Sequence, residues 1–344
     1  MPGGWRALAS GLSLLALLML AGGCEQRAGA LPRGGLLLPG LANSQDKLDR
    51  VQLRGPGHKV LVTLARQRGS WLVAERNGWP ADAGRLSQFL FQLAQARRAE
   101  VKTSNPALYA RLGVQPVSDA GASGTELTLS AGKSDTRIVI GHEHDVLDAN
   151  YVRIEGQAQA WLTDVPIAFD PDPVAWLDHR LVDLPLARVA KVSIQPRIGP
   201  SFTLSSRDDR FRLDDAPSAA MRESHQGDAI ASVPDQLRLE DVLLDDGAAK
   251  ERELRYDLVD GSSVTLQLWH VGEQSWIRLA AALDEGRLAE WTRLGGKPQS
   301  GSEVRQRVLA WNRRFDARRF LLADKVAAIL MLDHDQILAG TPSP

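Results

Sequence analysis

The sequence predicts an α+β fold, with antiparallel strand meanders each packed against helices in a strand–helix unit that occurs twice. Three observations predict it. Apolar residues alternate with polar neighbours at period two, as in Val60, Val62 and Leu64, which suits strands with one wet face. Leu86, Phe89, Leu90 and Leu93 fall on one face of a helix. The motifs also recur. Leu186-Ala-Arg-Val189 echoes Leu48-Asp-Arg-Val51 at an offset of 138, while Phe202 echoes Val62 and Phe211 echoes Trp71 at 140. Two residues are thus inserted in the second copy.

Each element has a local reason. Val51 and Leu53, then residues 60–64, then Trp71 and Val73 read as strands, separated by turns at Gly55-Pro56-Gly57 and Arg68-Gly69-Ser70. A helix starts at Pro80 and Asp82. A second, short helix takes Asn105 as cap, Pro106 in its first turn and Gly113 as its stop. Residues 127–129, 137–140, 151–154 and 160–162 read as further strands. Asp170-Pro171-Asp172-Pro173 then interrupts regular structure, because each proline restricts its predecessor. This divides the chain into a first unit over 36–175 and a second over 176–340.

In the second unit, the Leu-rich stretch at 237–244 falls where the repeat places a helix. A hairpin follows: Leu254, Tyr256 and Leu258 alternate, Asp260-Gly261 turns, and Val264, Leu266 and Leu268 alternate back. Residues 276–279 add a strand. Val304, Val308, Trp311 and Phe315 share a helix face, and 327–332 is a last apolar patch.

The chain of 344 residues carries a net charge of -1, with 44% hydrophobic and 24% charged residues. That balance argues against a nucleic-acid partner, which calls for a basic surplus. One cysteine excludes an internal disulfide framework and Cys-based zinc or iron–sulfur centres. The 33 Arg against 8 Lys read as codon bias.

That cysteine, Cys24, ends an N-terminal signal layout. Arg6 precedes an apolar stretch at 8–20 of 13 residues, and Ala21-Gly22-Gly23 follows. The stretch is short for a membrane span of about 20 residues. The small residues before Cys24 resemble a bacterial lipobox, with Ala21 where Leu is usual. The expectation is a signal peptide over 1–23, lipidation at Cys24, and a polar tether over 24–35. Glu25 gives no signal for inner-membrane retention, so the anchoring membrane stays open.

Several short motifs bear on chemistry. His142 and His144 in Gly141-His-Glu-His-Asp145 put two imidazoles on one face of a strand, and Asp148 offers a third donor. Gly141 and Asp148 also make this a polar loop, and the loop is the expectation, with no metal and no cofactor. Ser130-Ala-Gly-Lys133 matches the Ser-x-x-Lys pattern of acyl transfer, but Gly132 between strands makes it a hairpin turn. Asp333-His334-Asp335 has the form of an oriented histidine. The nine tryptophans read as core, with a sugar-stacking platform as the alternative. Arg313, Arg314, Arg318 and Arg319 around Phe315 and Phe320 read as a solvated helix face, with a lipid-headgroup or partner face as the alternative.

Trp71, Trp79-Pro-Ala-Asp82, Leu90, Leu93, Glu100-Val-Lys-Thr103, Tyr109, Leu112-Gly-Val114, Gly141, Tyr151-Val-Arg153 and Trp176-Leu-Asp178 together resemble the bacterial domain of unknown function 4340 family. The resemblance covers most of 36–180. It implies an envelope protein of the kind encoded beside ABC exporter components of the gliding type. None of these motifs is catalytic in type. The expectation is an extracytoplasmic lipoprotein on the periplasmic side, working as a non-enzymatic binding or scaffold module and an accessory to an ABC-type transport system. The alternatives are a metal-dependent hydrolase using His142 and His144, or a polysaccharide- or lipid-binding module.

Overall fold

The computed structural model describes residues 34–215, 225–295 and 301–339. The expected signal segment with Trp5, Cys24, and the tether up to residue 33 lie outside the described residues. The first half of the chain builds one nine-stranded sheet. β1 (Arg50–Arg54), β2 (Val60–Gln67) and β3 (Ser70–Val73) form a meander, and a short β4 (Trp79–Pro80) extends it. Helix α1 (Ala83–Gln95) and β5 (Arg98–Val101) follow, then the four-residue α2 (Tyr109–Leu112). β6 (Thr125–Ala131), β7 (Ser134–Glu143), β8 (Asn150–Ile154) and β9 (Ala160–Thr163) complete the sheet. Its order is β4-β3-β2-β1-β6-β7-β8-β9-β5, with every pairing antiparallel.

The second half continues with β10 (Arg180–Val182), β11 (Val189–Pro196), β12 (Phe202–Arg207) and β13 (Arg210–Leu213). After α3 (Gln226–Ser232) come β14 (Leu237–Arg238), β15 (Asp241–Leu244), β16 (Arg252–Leu258), β17 (Ser262–Val271) and β18 (Gln274–Leu283). Helices α4 (Glu285–Arg293) and α5 (Gly301–Phe315) precede β19 (Arg318–Leu322), and α6 (Asp324–Leu330) and α7 (His334–Ala339) close the described chain. The larger sheet is ordered β13-β12-β11-β16-β17-β18-β19-β15, and β10 pairs with β14 alone. Without β4, the first sheet reads β3-β2-β1-β6-β7-β8-β9-β5. The two sheets therefore follow one strand order. Their β2–β3 and β12–β13 hairpins also turn alike: Arg68-Gly69 and Asp208-Asp209 all have positive φ, the conformation that matches a two-residue loop to strand twist.

Local chemistry sets the helices. Asp82 caps α1, its Oδ1 accepting from Arg85 N at 3.0 Å. Leu86, Phe89, Leu90 and Leu93 are buried, as their spacing predicts. Asn105 caps the turn before α2, and Gly113 ends α2 at φ 67°. The stretch at 237–244 departs from the sequence expectation. It forms β14 and β15 and contains no helix; the second-half helix that follows the opening strand meander is α3, which starts earlier. Leu237 and Leu239 are buried while Arg238 between them is exposed, the alternation of a strand.

One apolar core runs through both halves. It joins Val51, Leu64, Leu90 and Trp79 from the first sheet region to Val192, Leu204, Leu266 and Phe320 from the second. No described helix is long and apolar enough to cross a membrane.

Candidate functional site

The residues that carry the family resemblance converge on two places, the α2 corner and the seam between the halves. At the corner, Arg153 Nε donates to Val114 O at 2.8 Å and its guanidinium lies 4.9 Å from the Tyr109 ring centre. Gly141 is required by close approach: a Cβ there would fall 2.1 Å from Leu112 O. Gly113 is equally confined, since a Cβ would meet the His142 ring at 2.7 Å.

The corner decides the geometry of His142, His144 and Asp148, the alternative metal candidates. His142 Nε2 lies 2.7 Å from Ser123 Oγ, so it bonds to a hydroxyl. His144 Nδ1 accepts from the backbone N–H groups of Val146 and Leu147, both at 3.2 Å, and so closes a turn. Asp148 is exposed in the same loop. Among the described residues, no three His, Cys, Asp or Glu side chains are grouped to hold a metal ion. Ser130 and Lys133 flank the β6–β7 hairpin turn, with the Ser130 hydroxyl accepting from Arg50 at 3.1 Å.

The seam is built from α1, the segment 168–180, β14 and the region around α5 and β19. Asp82 N donates to Trp176 O and Asp178 N to Pro80 O. Trp79 is fully buried, and its indole N–H donates to Asp178 O at 2.8 Å. Phe320 meets Trp79 edge-on at 5.2 Å, and Arg314 lies 4.6 Å from the same ring. Arg314 also donates to Asp178 Oδ2 at 3.1 Å, and Arg318 to Asn77 O at 3.0 Å. A second clasp, Arg76 to Asp241 at 2.6 Å, joins the halves with both side chains only 20% exposed. Arg314 and Arg318 thus bind the halves together, where the sequence suggested a solvated face. Arg319 pairs with Asp246, and Arg313 stays exposed.

Two clefts open on either side of the 176–180 segment. One, of about 390 Å³, is lined by Arg85, Gln88, Phe89, Phe169, Asp170 and Trp176 among others. The other, of about 460 Å³, is lined by 81–84 at the start of α1 together with Asp178, His179, Arg180 and Arg238. His179 Nδ1 lies 2.8 Å from Leu239 O and so donates to it. The described tryptophans offer no open stacking platform: Trp79, Trp176, Trp269 and Trp276 are buried and the other four half-buried. Seven arginines lie over six of these rings. A planar guanidinium stacks on indole as an ammonium does not, which gives part of the arginine excess a structural reason.

Asp260, which reads from the sequence only as part of a hairpin turn, is a buried group. It is fully enclosed, its Oδ1 accepts from Ser262 Oγ at 2.6 Å and Ser262 N at 3.0 Å, and Arg188 and Arg307 both pair with Oδ2. Burial pushes its carboxyl up, but the Ser262 hydrogen bonds and the Arg307 guanidinium outweigh this and hold it below the usual carboxylate range. The arrangement ties the β16–β17 turn to Arg188, just before β11, and to Arg307 on α5, and is a structural anchor.

No curated protein and no solved structure matches the chain. The family described as domain of unknown function (DUF4340) matches residues 71–257, more than half of the sequence and a span from β3 to β16 that contains the whole 168–180 seam segment. The chain belongs to this domain of unknown function 4340 family.

Proposed function

We propose that this protein is a non-enzymatic binding module of the cell envelope, lipid-anchored through Cys24 on the periplasmic side and an accessory to an ABC-type transport system. The observation that carries the binding role is the seam. There, α1, the 168–180 segment and the arginines of α5 and β19 pack together and leave two clefts, one mixed in character and one lined mainly by polar and charged groups. Sites at the junction of folding units are a common place for recognition. The shared strand order of the two sheets supports a duplicated strand–helix unit, and duplication creates such a junction. The apolar stretch before Cys24 supports the anchor, and the family resemblance supports the transport link.

The test is affinity purification of the tagged full chain from detergent-solubilised membranes. Recovery of ABC-type subunits, with an acyl mass on Cys24 and release or precursor accumulation in Cys24→Ala, is the expected result. A chain with no acyl mass that brings down no transport subunit overturns the reading.

A further inference from the structure

We propose that Arg180 and Arg238 form an anion site in the seam cleft that takes a phosphate monoester group. The inference names the ligand class of the binding module proposed above and rests on that reading. Arg180 and Arg238 are direct partners in the antiparallel β10–β14 pair, and both line the 460 Å³ cleft. Directly opposed residues on one sheet face have Cβ atoms only about 4.5–5.5 Å apart, and like charges at that spacing repel. An anion between them turns the repulsion into attraction.

The acidic residues of the cleft are already engaged. Asp178 accepts from Arg314 Nη2 at 3.1 Å through Oδ2 and from Arg180 N at 3.2 Å through Oδ1, and the Arg180 guanidinium approaches it only at 3.5 Å with 69% of the side chain exposed. Asp82 caps α1 through Arg85 N. The guanidinium of Arg238 has no ion pair or hydrogen bond among the described residues, and the residue is exposed. His179, whose Nδ1 is committed to Leu239 O, lines the same cleft with its Nε2 uncommitted. Two guanidinium forks present several N–H donors and two positive charges, which match a dianionic tetrahedral group better than a single carboxylate.

The test uses the full chain in a neutral detergent, titrated calorimetrically with inorganic phosphate and, separately, with dihexanoyl phosphatidic acid below its micelle concentration. Saturable binding is expected, weakened at least tenfold by Arg238→Gln and by Arg180→Gln and unchanged by Arg111→Gln on α2. Tighter binding of the short lipid than of phosphate assigns a lipid headgroup; equal binding assigns a soluble phosphate ester. Absence of saturable binding, or equal weakening by all three variants, overturns the site. A chain that binds no phosphate yet still recovers ABC-type subunits overturns this inference alone.

Discussion

The Asn312 carboxamide supplies a strand partner for Ala281. Its Oδ1 accepts from Ala281 N and its Nδ2 donates to Ala281 O, both at 2.8 Å. β19 pairs with β18 only at Ser275, Trp276 and Ile277, so the ladder on that side stops short of Ala281. In the first sheet β9 follows β8 after a short loop, whereas α4 and α5 are inserted between β18 and β19. A side chain from the inserted helix completes what the ladder leaves open. Asn312→Ala strands one backbone donor and one acceptor and should cost about 1–3 kcal/mol. Asn312→Asp should cost at least as much, because a carboxylate then faces the Ala281 carbonyl. Urea unfolding checks both: the midpoint should fall at constant slope, and an unshifted midpoint for both would show the bonds to be dispensable.

The buried face of α1 gives a second expectation. Leu90 is 4% exposed within the main core, and Gln92 two positions on is exposed. Truncating a buried leucine removes transfer energy and leaves a cavity, about 2–5 kcal/mol. Leu90→Ala should therefore lower Tm by several degrees or more, while Gln92→Ala should stay within about 0.5 kcal/mol. Equal melting of the two variants in calorimetry would contradict the packing.

Helix α1 was legible because its signals are local: a cap at Asp82 and four apolar residues on one face. Gly113 and the β6–β7 turn were legible for the same reason. The stretch at 237–244 misleads because its leucine content and its place in the repeat suggest a helix, while the Leu237–Arg238–Leu239 alternation is that of a strand. The true helix, α3, buries only Gly227, Ile230 and Ala231, too few and too small to print a periodicity. The seam was illegible for a different reason. Trp79 and Arg314, or Arg76 and Asp241, are far apart in sequence and meet only in the tertiary structure, and no local pattern encodes a contact at that separation. The pairing of His142 with Ser123 is similar: the sequence marks Gly141–Asp145 as a polar loop, with shared ligation as the alternative, and carries no local sign that one ring meets the Ser123 hydroxyl while the other closes a loop turn.

His334 should make the C-terminal packing pH-dependent. Its ring lies edge-on to Phe202 at 5.7 Å, Nε2 is 3.2 Å from Asp215 and Nδ1 is 3.2 Å from Asp335. It opens α7, where Ile337 is fully buried. Burial alone would lower its pKa, but hydrogen bonds to Asp335 and Asp215 outweigh this and raise it above the ordinary histidine value. The folded state therefore binds the proton more tightly than the unfolded chain. The resulting stabilisation is fully present below the unfolded value of about 6.5, as long as the carboxylates stay ionised, and is lost as pH rises through the folded value. His334→Gln removes the titrating group. Wild type should melt above this variant at pH 5.5, and the gap should close as the pH is raised to 8.5. A gap that stays constant across that range would mean that His334 contributes through packing on Phe202 and not through its charge.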